Sequence, residues 1–263
     1  MKMRTCAVAG MFYPRDPSHL EQLLEKFFSS VKPVEGSPLG IVSPHAGYIY
    51  SGQVAASAFG TIPSDFSGTF VVIGPSHRGY LTSVSAIPWE TPLGVVDPDE
   101  EFIGALDLEV DELSHRDEHA IEVQVPFIKY RFPRARFVPV MMGQQDFASA
   151  QRLAEVMAHA IHSVKHDVRI VASSDFSHYV PAAKAYDDDH YAIEPLLSLD
   201  VEEFYRRIGE RGVTCCGYGP IAAMTMTCKT LGATAANLIR YATSGDVTGD
   251  TRQVVGYAGI AVM

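Results

Sequence analysis

The sequence predicts an α/β fold: a layered sheet, mixed but largely parallel, flanked by helices, with residues 1–263 forming a single domain. Three observations carry this. Short β-rich apolar runs bounded by Gly, Pro and Ser recur along the chain and read as buried strands. Segments of helical periodicity alternate with them, as in a sheet built from crossover units. Three of the runs also end alike, in a polar turn carrying a histidine: Leu39–Ser43 leads to His45, Phe70–Gly74 to His77, and Val168–Ser173 to His178.

The elements follow in order. Ala9-Gly10-Met11-Phe12-Tyr13-Pro14 is an aromatic turn. Asp16-Pro17 starts a helix through about Ser29, with Leu20, Leu23, Leu24, Phe27 and Phe28 on one stripe. Lys32–Pro38 is the most linker-like stretch, but it is short and precedes a core strand. Strand Leu39–Ser43 precedes a helix near Gln53–Phe59; strand Phe70–Gly74 precedes an extended piece at Val84–Pro88. Glu100–Leu106 and Ile121–Tyr130 read as helical, the second interrupted or kinked by Pro126. Arg136–Met142 is a strand, Phe147–Ser163 the clearest amphipathic helix, and Val168–Ser173 a strand. Two helical segments lie in Ala185–Arg211, and another spans Pro220–Leu231, where Pro220 suits a first turn. Asn237–Tyr241 and Val254–Met263 are β-rich and expected to pair antiparallel, which makes the sheet mixed.

Composition narrows the function. The net charge of −10 argues against nucleic acid and anionic membrane surfaces as partners, since both need a basic face. The four cysteines, Cys6, Cys215, Cys216 and Cys228, form no CxxC pair and no secreted disulfide framework. The first ten residues lack a long apolar segment, and no stretch reaches the ~18–20 apolar residues of a membrane span. A reducing cytoplasm is the expected location.

Ligands of open α/β sheets bind in the crevice outside the carboxyl ends of the strands. If the three histidine-bearing strands are parallel neighbours, His45, His77 and His178 converge there. Neutral imidazoles suit Fe, Zn, Cu or Ni, and two of them need a third ligand. Asp175, His178, His115, His119, Glu118, Glu122 and Cys216 are the candidates. His115 and His119 are four apart, but the polar Arg116-Asp117-Glu118 between them makes a solvated helix entry the expectation for His115, whereas His119 heads an apolar helix. Asp175 and His178 are an acid and a base three residues apart, suited to proton transfer with Asp175 orienting His178; helix capping by Ser174 or Asp175 is the plainer alternative. Cys216 precedes a helix, a setting that lowers a thiol pKa and favours metal binding or nucleophilic reactivity, while Cys215 reads as its buried neighbour. No GxSxG, HExxH or Walker A sequence occurs. His159, His162 and His166 read as a solvated helix face, and His19 and His190 carry no signal.

Ala9–Pro14, Pro44–Tyr48, Gly74–His77, Asp117–Glu122, Ser173–His178 and Cys216-Gly217-x-x-Pro220-Ile221 occur in this order, and the ordered set resembles the Memo protein family. That family is similar in fold to class III extradiol ring-cleaving dioxygenases, which use non-haem iron(II). The resemblance implies that His45, His77 and Cys216 are the metal ligands and that Asp175 and His178 lie beside them, with His178 where the dioxygenases keep an acid/base histidine. It implies Fe(II) first, with Cu or Zn as alternatives, a thiolate replacing the dioxygenase carboxylate, and a small-molecule substrate. It also implies an AMMECR1-like protein and a radical S-adenosylmethionine enzyme as partners. The chain departs from animal members at Tyr218-Gly219, where they carry Arg-His, and at Gln124, where they carry a His; it is closer to the prokaryotic branch.

Three functions are therefore expected to compete. The first is redox or oxygen-dependent chemistry at a mononuclear metal, with Tyr48 and Phe12 walling the pocket. The second is non-enzymatic metal binding, copper above all, or an adaptor role. The third is metal-free chemistry with Cys216 as nucleophile.

Overall fold

The computed structural model describes residues 3–31 and 36–263. Of the linker-like stretch Lys32–Pro38, residues 32–35 lie outside the described residues. Helix α1 (Pro17–Ser29) begins where Asp16 accepts from the His19 N–H, and its buried stripe is Leu20, Leu24 and Phe27. Strand β1 (Gly40–Ser43) leads to α2 (Tyr48–Phe59). This helix starts at Tyr48 rather than near Gln53. Tyr48-Ile49-Tyr50 has poor helix propensity, but the Tyr48 hydroxyl donates to the Val123 carbonyl (2.6 Å) and its ring packs on Phe127, so tertiary contacts override local preference.

Strand β2 (Thr69–Pro75) is followed by β3 (Ser83–Val84), much shorter than the extended piece expected over Val84–Pro88. An unanticipated hairpin of β4 (Trp89–Thr91) and β5 (Gly94–Val96) comes next. Helices α3 (Glu100–Ala105) and α4 (Glu112–His115) are capped by Asp99 and Asp111. The helix expected over Ile121–Tyr130 is two, α5 (His119–Glu122) and α6 (Val125–Arg131), and Pro126 sits in the first turn of α6 instead of kinking a longer one. Then come β6 (Arg136–Met142), α7 (Phe147–Ser163), β7 (Val168–Ser173), β8 (His178–Val180), α8 (Ala182–Leu197) and α9 (Val201–Arg211), which ends on Gly212 in the left-handed conformation (φ 63°). The chain closes with α10 (Tyr218–Thr230), β9 (Ala236–Thr243), α11 (Gly245–Thr248) and β10 (Val254–Val262).

The main sheet has eight strands in the order β3-β6-β2-β7-β1-β10-β8, with β9 also on β10. Its centre, β6-β2-β7-β1, is parallel; β3, β10 and β9 add antiparallel pairs, so the sheet is mixed and largely parallel as expected. Side chains of the central strands alternate between two cores. Phe70, Val72 and Val171 face a layer that includes Ala55 and Phe59 of α2 and Phe127 of α6. Val71, Ile73, Ile170 and Ala172 face Met157 of α7, Ile193 of α8 and Met224 of α10. The chain leaves β1 for α2 in the first layer, whereas β2 and β7 lead on to β3 and β8 of the same sheet. The carboxyl ends of the adjacent parallel strands β2, β7 and β1 lie side by side at one edge of the sheet, the position where ligands of open α/β sheets bind. No helix among the described residues is long and apolar enough to cross a membrane.

Candidate metal centre

His45 lies just past β1. Its backbone N–H donates to Asp175 Oδ1 (2.8 Å), its Nδ1 is 3.0 Å from Ser173 Oγ, and its Nε2 is 3.1 Å from Cys216 Sγ. His77 lies just past β2, with its N–H and Nδ1 both 2.9 Å from the two oxygens of Glu118. The two imidazoles stand edge to face, centroids 5.3 Å apart. Cys216 is carried in by the loop before α10, where the Cys216 N–H donates to the Asp175 carbonyl and the Asp175 N–H donates to Cys216 Sγ (3.3 Å). Gly217 permits that approach, since a Cβ there would lie 2.5 Å from the Ser173 carbonyl oxygen. One ligand atom from each of His45, His77 and Cys216 can be chosen so that all lie within 4.8 Å of one another.

The electrostatics fit a cation. Burial, together with His119 and His77, holds the His45 imidazole well below its usual range, hence neutral and able to coordinate. Burial, then the neighbouring Asp175 and Cys215, pushes the Cys216 thiol well above its usual range. The expectation that proximity to a helix N-terminus lowers this pKa meets the opposite direction here, with burial the largest cause. A thiolate at this position needs a cation beside it, and a metal supplies one. Glu118 provides the orienting carboxylate that metal-ligating histidines use. Burial opposes its charge, but hydrogen bonds from His119, His77 and the Ala120 N–H win, and its carboxyl sits far below the usual range.

The other candidates sort by contact. His119 joins the cluster: its ring stacks on His77 at 4.6 Å and its Nδ1 is 3.3 Å from Glu118 Oε1. Phe12 packs on His119 (4.8 Å) and so walls the site, whereas Tyr48, expected beside it, points into the core. His178 is held by Thr214, whose hydroxyl accepts from its N–H (2.7 Å) and whose carbonyl lies 2.8 Å from its Nδ1. Asp175 does not orient His178 as expected, because its carboxylate is committed to the His45 backbone; burial raises its pKa to about 6. Glu122 is drawn away to Arg4, Tyr13 and the N–H groups of Ala7 and Val8.

His115 is the clearest correction. It is fully buried, not a solvated helix entry, with its ring edge-on to Trp89 and its carbonyl accepting from Arg4 Nε (2.7 Å). His166 is likewise partly withdrawn from solvent, against buried Asp99 (2.6 Å). Cys215 is buried as expected, and burial lifts its thiol to about 12. Sequence reasoning missed Thr214 and Ser173 as partners of the histidines, and it marked Gln124, which holds Ser173, only as a departure from animal members of the family. Gln124 and Ser173 are both buried polar residues in apolar contexts, a signal that they are held by hydrogen bonds.

Together these features define an α/β protein with a His-His-Cys group, one that could hold a metal ion, at the carboxyl edge of a mainly parallel sheet. The family model described as Memo-like protein matches residues 4–261. A MEMO1 family protein of Methanosarcina barkeri is 45% identical over 266 residues, covering 99% of this chain and 100% of the relative. One from Methanosarcina mazei is 45% identical over 269 residues, covering all of both chains. One from Methanocaldococcus jannaschii is 38% identical over 284 residues, covering 99% of each. The chain belongs to the Memo family.

Proposed function

We propose that this chain is a cytoplasmic metalloprotein in which His45, His77 and Cys216 hold one metal ion, Fe(II) first and Cu or Zn as alternatives, for redox or oxygen-dependent chemistry on a small molecule. The observation that carries the reading is the mutual approach of the three ligand atoms, within 4.8 Å, with both histidine Nδ1 atoms engaged by second partners. A redox metal would supply electron transfer and a coordination position for a small ligand. The site supports turnover rather than mere storage because one side is open: the side chains of His77 and His119 are 34% and 26% exposed, while His45 is buried. His178 then moves protons at Nε2, since the Thr214 carbonyl can only accept and so fixes the proton on Nδ1. Likeness to class III extradiol dioxygenases and partnership with an AMMECR1-like protein and a radical S-adenosylmethionine enzyme belong to this same proposal, resting on family membership.

A second reading is non-enzymatic Cu(I) binding, favoured by the close pair of buried His45 and half-buried Cys216 at 3.1 Å, a soft donor set. The thiol-nucleophile reading loses support because a half-buried thiol whose pKa desolvation raises supplies little thiolate. The test is metal content by mass spectrometry of anaerobically purified protein beside a Cys216→Ala variant. Stoichiometric iron or copper in the parent, lost in the variant, supports the metal-centre reading. No metal in either, even after reconstitution with Fe(II) or Cu(I), overturns it.

A further inference from the structure

Which nitrogen of His45 carries the proton decides whether a lone pair faces Cys216 and His77, and the surrounding hydrogen bonds determine this without reference to any metal. Gln124, Ser173 and His45 are 0%, 0% and 2% exposed, so their polar atoms must find partners within the protein. The amide of Gln124 has one orientation that works. Its Nε2 is 2.9 Å from the Pro44 carbonyl, which can only accept, and its Oε1 accepts from Ser43 Oγ (2.8 Å). The second Nε2 hydrogen therefore goes to Ser173 Oγ at 2.8 Å. The Ser173 hydroxyl has a single proton, and it is only 2.6 Å from the Ala120 carbonyl, another pure acceptor. With its proton given there and one lone pair taken by Gln124, Ser173 presents only a lone pair to His45 Nδ1 at 3.0 Å.

We infer that Ser173, itself held by Gln124 and the Ala120 carbonyl, is a positioning residue that keeps His45 in the Nδ1–H tautomer and so leaves Nε2 bare toward Cys216. The opposite tautomer would require the serine proton to turn to Nδ1, depriving the Ala120 carbonyl of its partner in a dry interior. Glu118 does the same for His77 by accepting from Nδ1. Two different devices, a relayed hydroxyl and a carboxylate, thus prepare both histidines identically. The relay also couples the ends of β1 and β7 to α5, because its members come from all three.

The significance of the tautomer for metal binding rests on the proposed His45–His77–Cys216 centre, but the tautomer itself does not, and the test separates them. Metal-free protein labelled with ¹⁵N-histidine is examined by long-range ¹H–¹⁵N correlation, with His45 assigned by its loss in His45→Gln. The expected result is a bare Nε2 and a protonated Nδ1 in the parent chain, a changed tautomer in Ser173→Ala, and the parental pattern restored in Ser173→Thr, which keeps the hydroxyl. Zn(II) affinity, read by competition titration, should fall by about 10–100-fold in Ser173→Ala and recover in Ser173→Thr. A proton on Nε2 in the parent, or an unchanged tautomer in folded Ser173→Ala, overturns the inference. If Ser173→Ala fails to fold, the parent spectrum alone decides. If the parent binds no Zn(II) yet shows bare Nε2, the inference stands and the metal-centre reading is the one that fails.

Discussion

Replacing Arg4 with Met should loosen both the fold and the site, because one buried guanidinium ties the N-terminal segment to the loop that carries Glu118. Arg4 Nη1 is 2.8 Å from Glu122 Oε2, with the two side chains 3% and 1% exposed. Its Nε and Nη2 donate to the carbonyls of His115 (2.7 Å) and Glu118 (2.9 Å), and its guanidinium lies 4.0 Å over the Trp89 ring. Glu122 in turn accepts from the N–H groups of Ala7 and Val8 and from Tyr13 Oη. Removing one member strands a buried carboxylate, which costs about 3–5 kcal/mol. With a urea m-value of roughly 3 kcal/mol/M, the midpoint should fall by about 1–2 M. The double variant Arg4→Met/Glu122→Gln should lose less than the sum of the two singles, since the second change removes the charge the first one strands. The Zn(II) affinity of Arg4→Met should also fall, because the Glu118 carbonyl loses its tether. A loss near 1 kcal/mol or less, with additive singles, would show the pair to be no more than a surface bridge and would refute the strap.

Three further outcomes are expected. Glu118→Gln places an amide where His77 needs two acceptors; its metal affinity should fall about 10–100-fold by titration, and an unchanged affinity would remove Glu118 as the orienting group. Burial holds the His115 imidazole at about 4, below its ordinary ~6.5, so the folded state favours the neutral form. Stability from this group is therefore intact above pH ~6.5 and falls as the pH drops toward 4, saturating at about 3 kcal/mol; His115→Gln should flatten that part of the profile in urea melts at a series of pH values, and an unaltered profile would contradict the assignment. Gly209 is an exposed site in α9 where a Cβ meets nothing within 4 Å, so Gly209→Ala should raise stability by up to about 1 kcal/mol with metal content unchanged.

What the sequence made legible was local, and what it concealed was reached from afar. The turns holding His45, His77 and His178 follow apolar runs directly, so the strand, its end and the side chain past it are read from one contiguous stretch. Cys216 is not of that kind. It arrives from a loop some forty residues past β7, and only the ordered motifs of the family single it out from the six other candidate ligands. His115 failed for the converse reason. Arg116-Asp117-Glu118 reads as a solvated face because polarity is counted residue by residue, yet Glu118 is buried once His77 supplies its partner, and the His115 carbonyl is covered once Arg4 arrives from the N-terminus. Asp175 and His178 looked like a dyad because proximity in sequence is visible and backbone is not; the Thr214 carbonyl that orients His178 belongs to no side-chain pattern. The same holds for the Ala120 and Pro44 carbonyls that decide where the protons of Ser173 and Gln124 go. Ligand identity is thus written in residue types, whereas ligand protonation is set largely by main-chain acceptors, which every residue carries and which only the fold brings to bear.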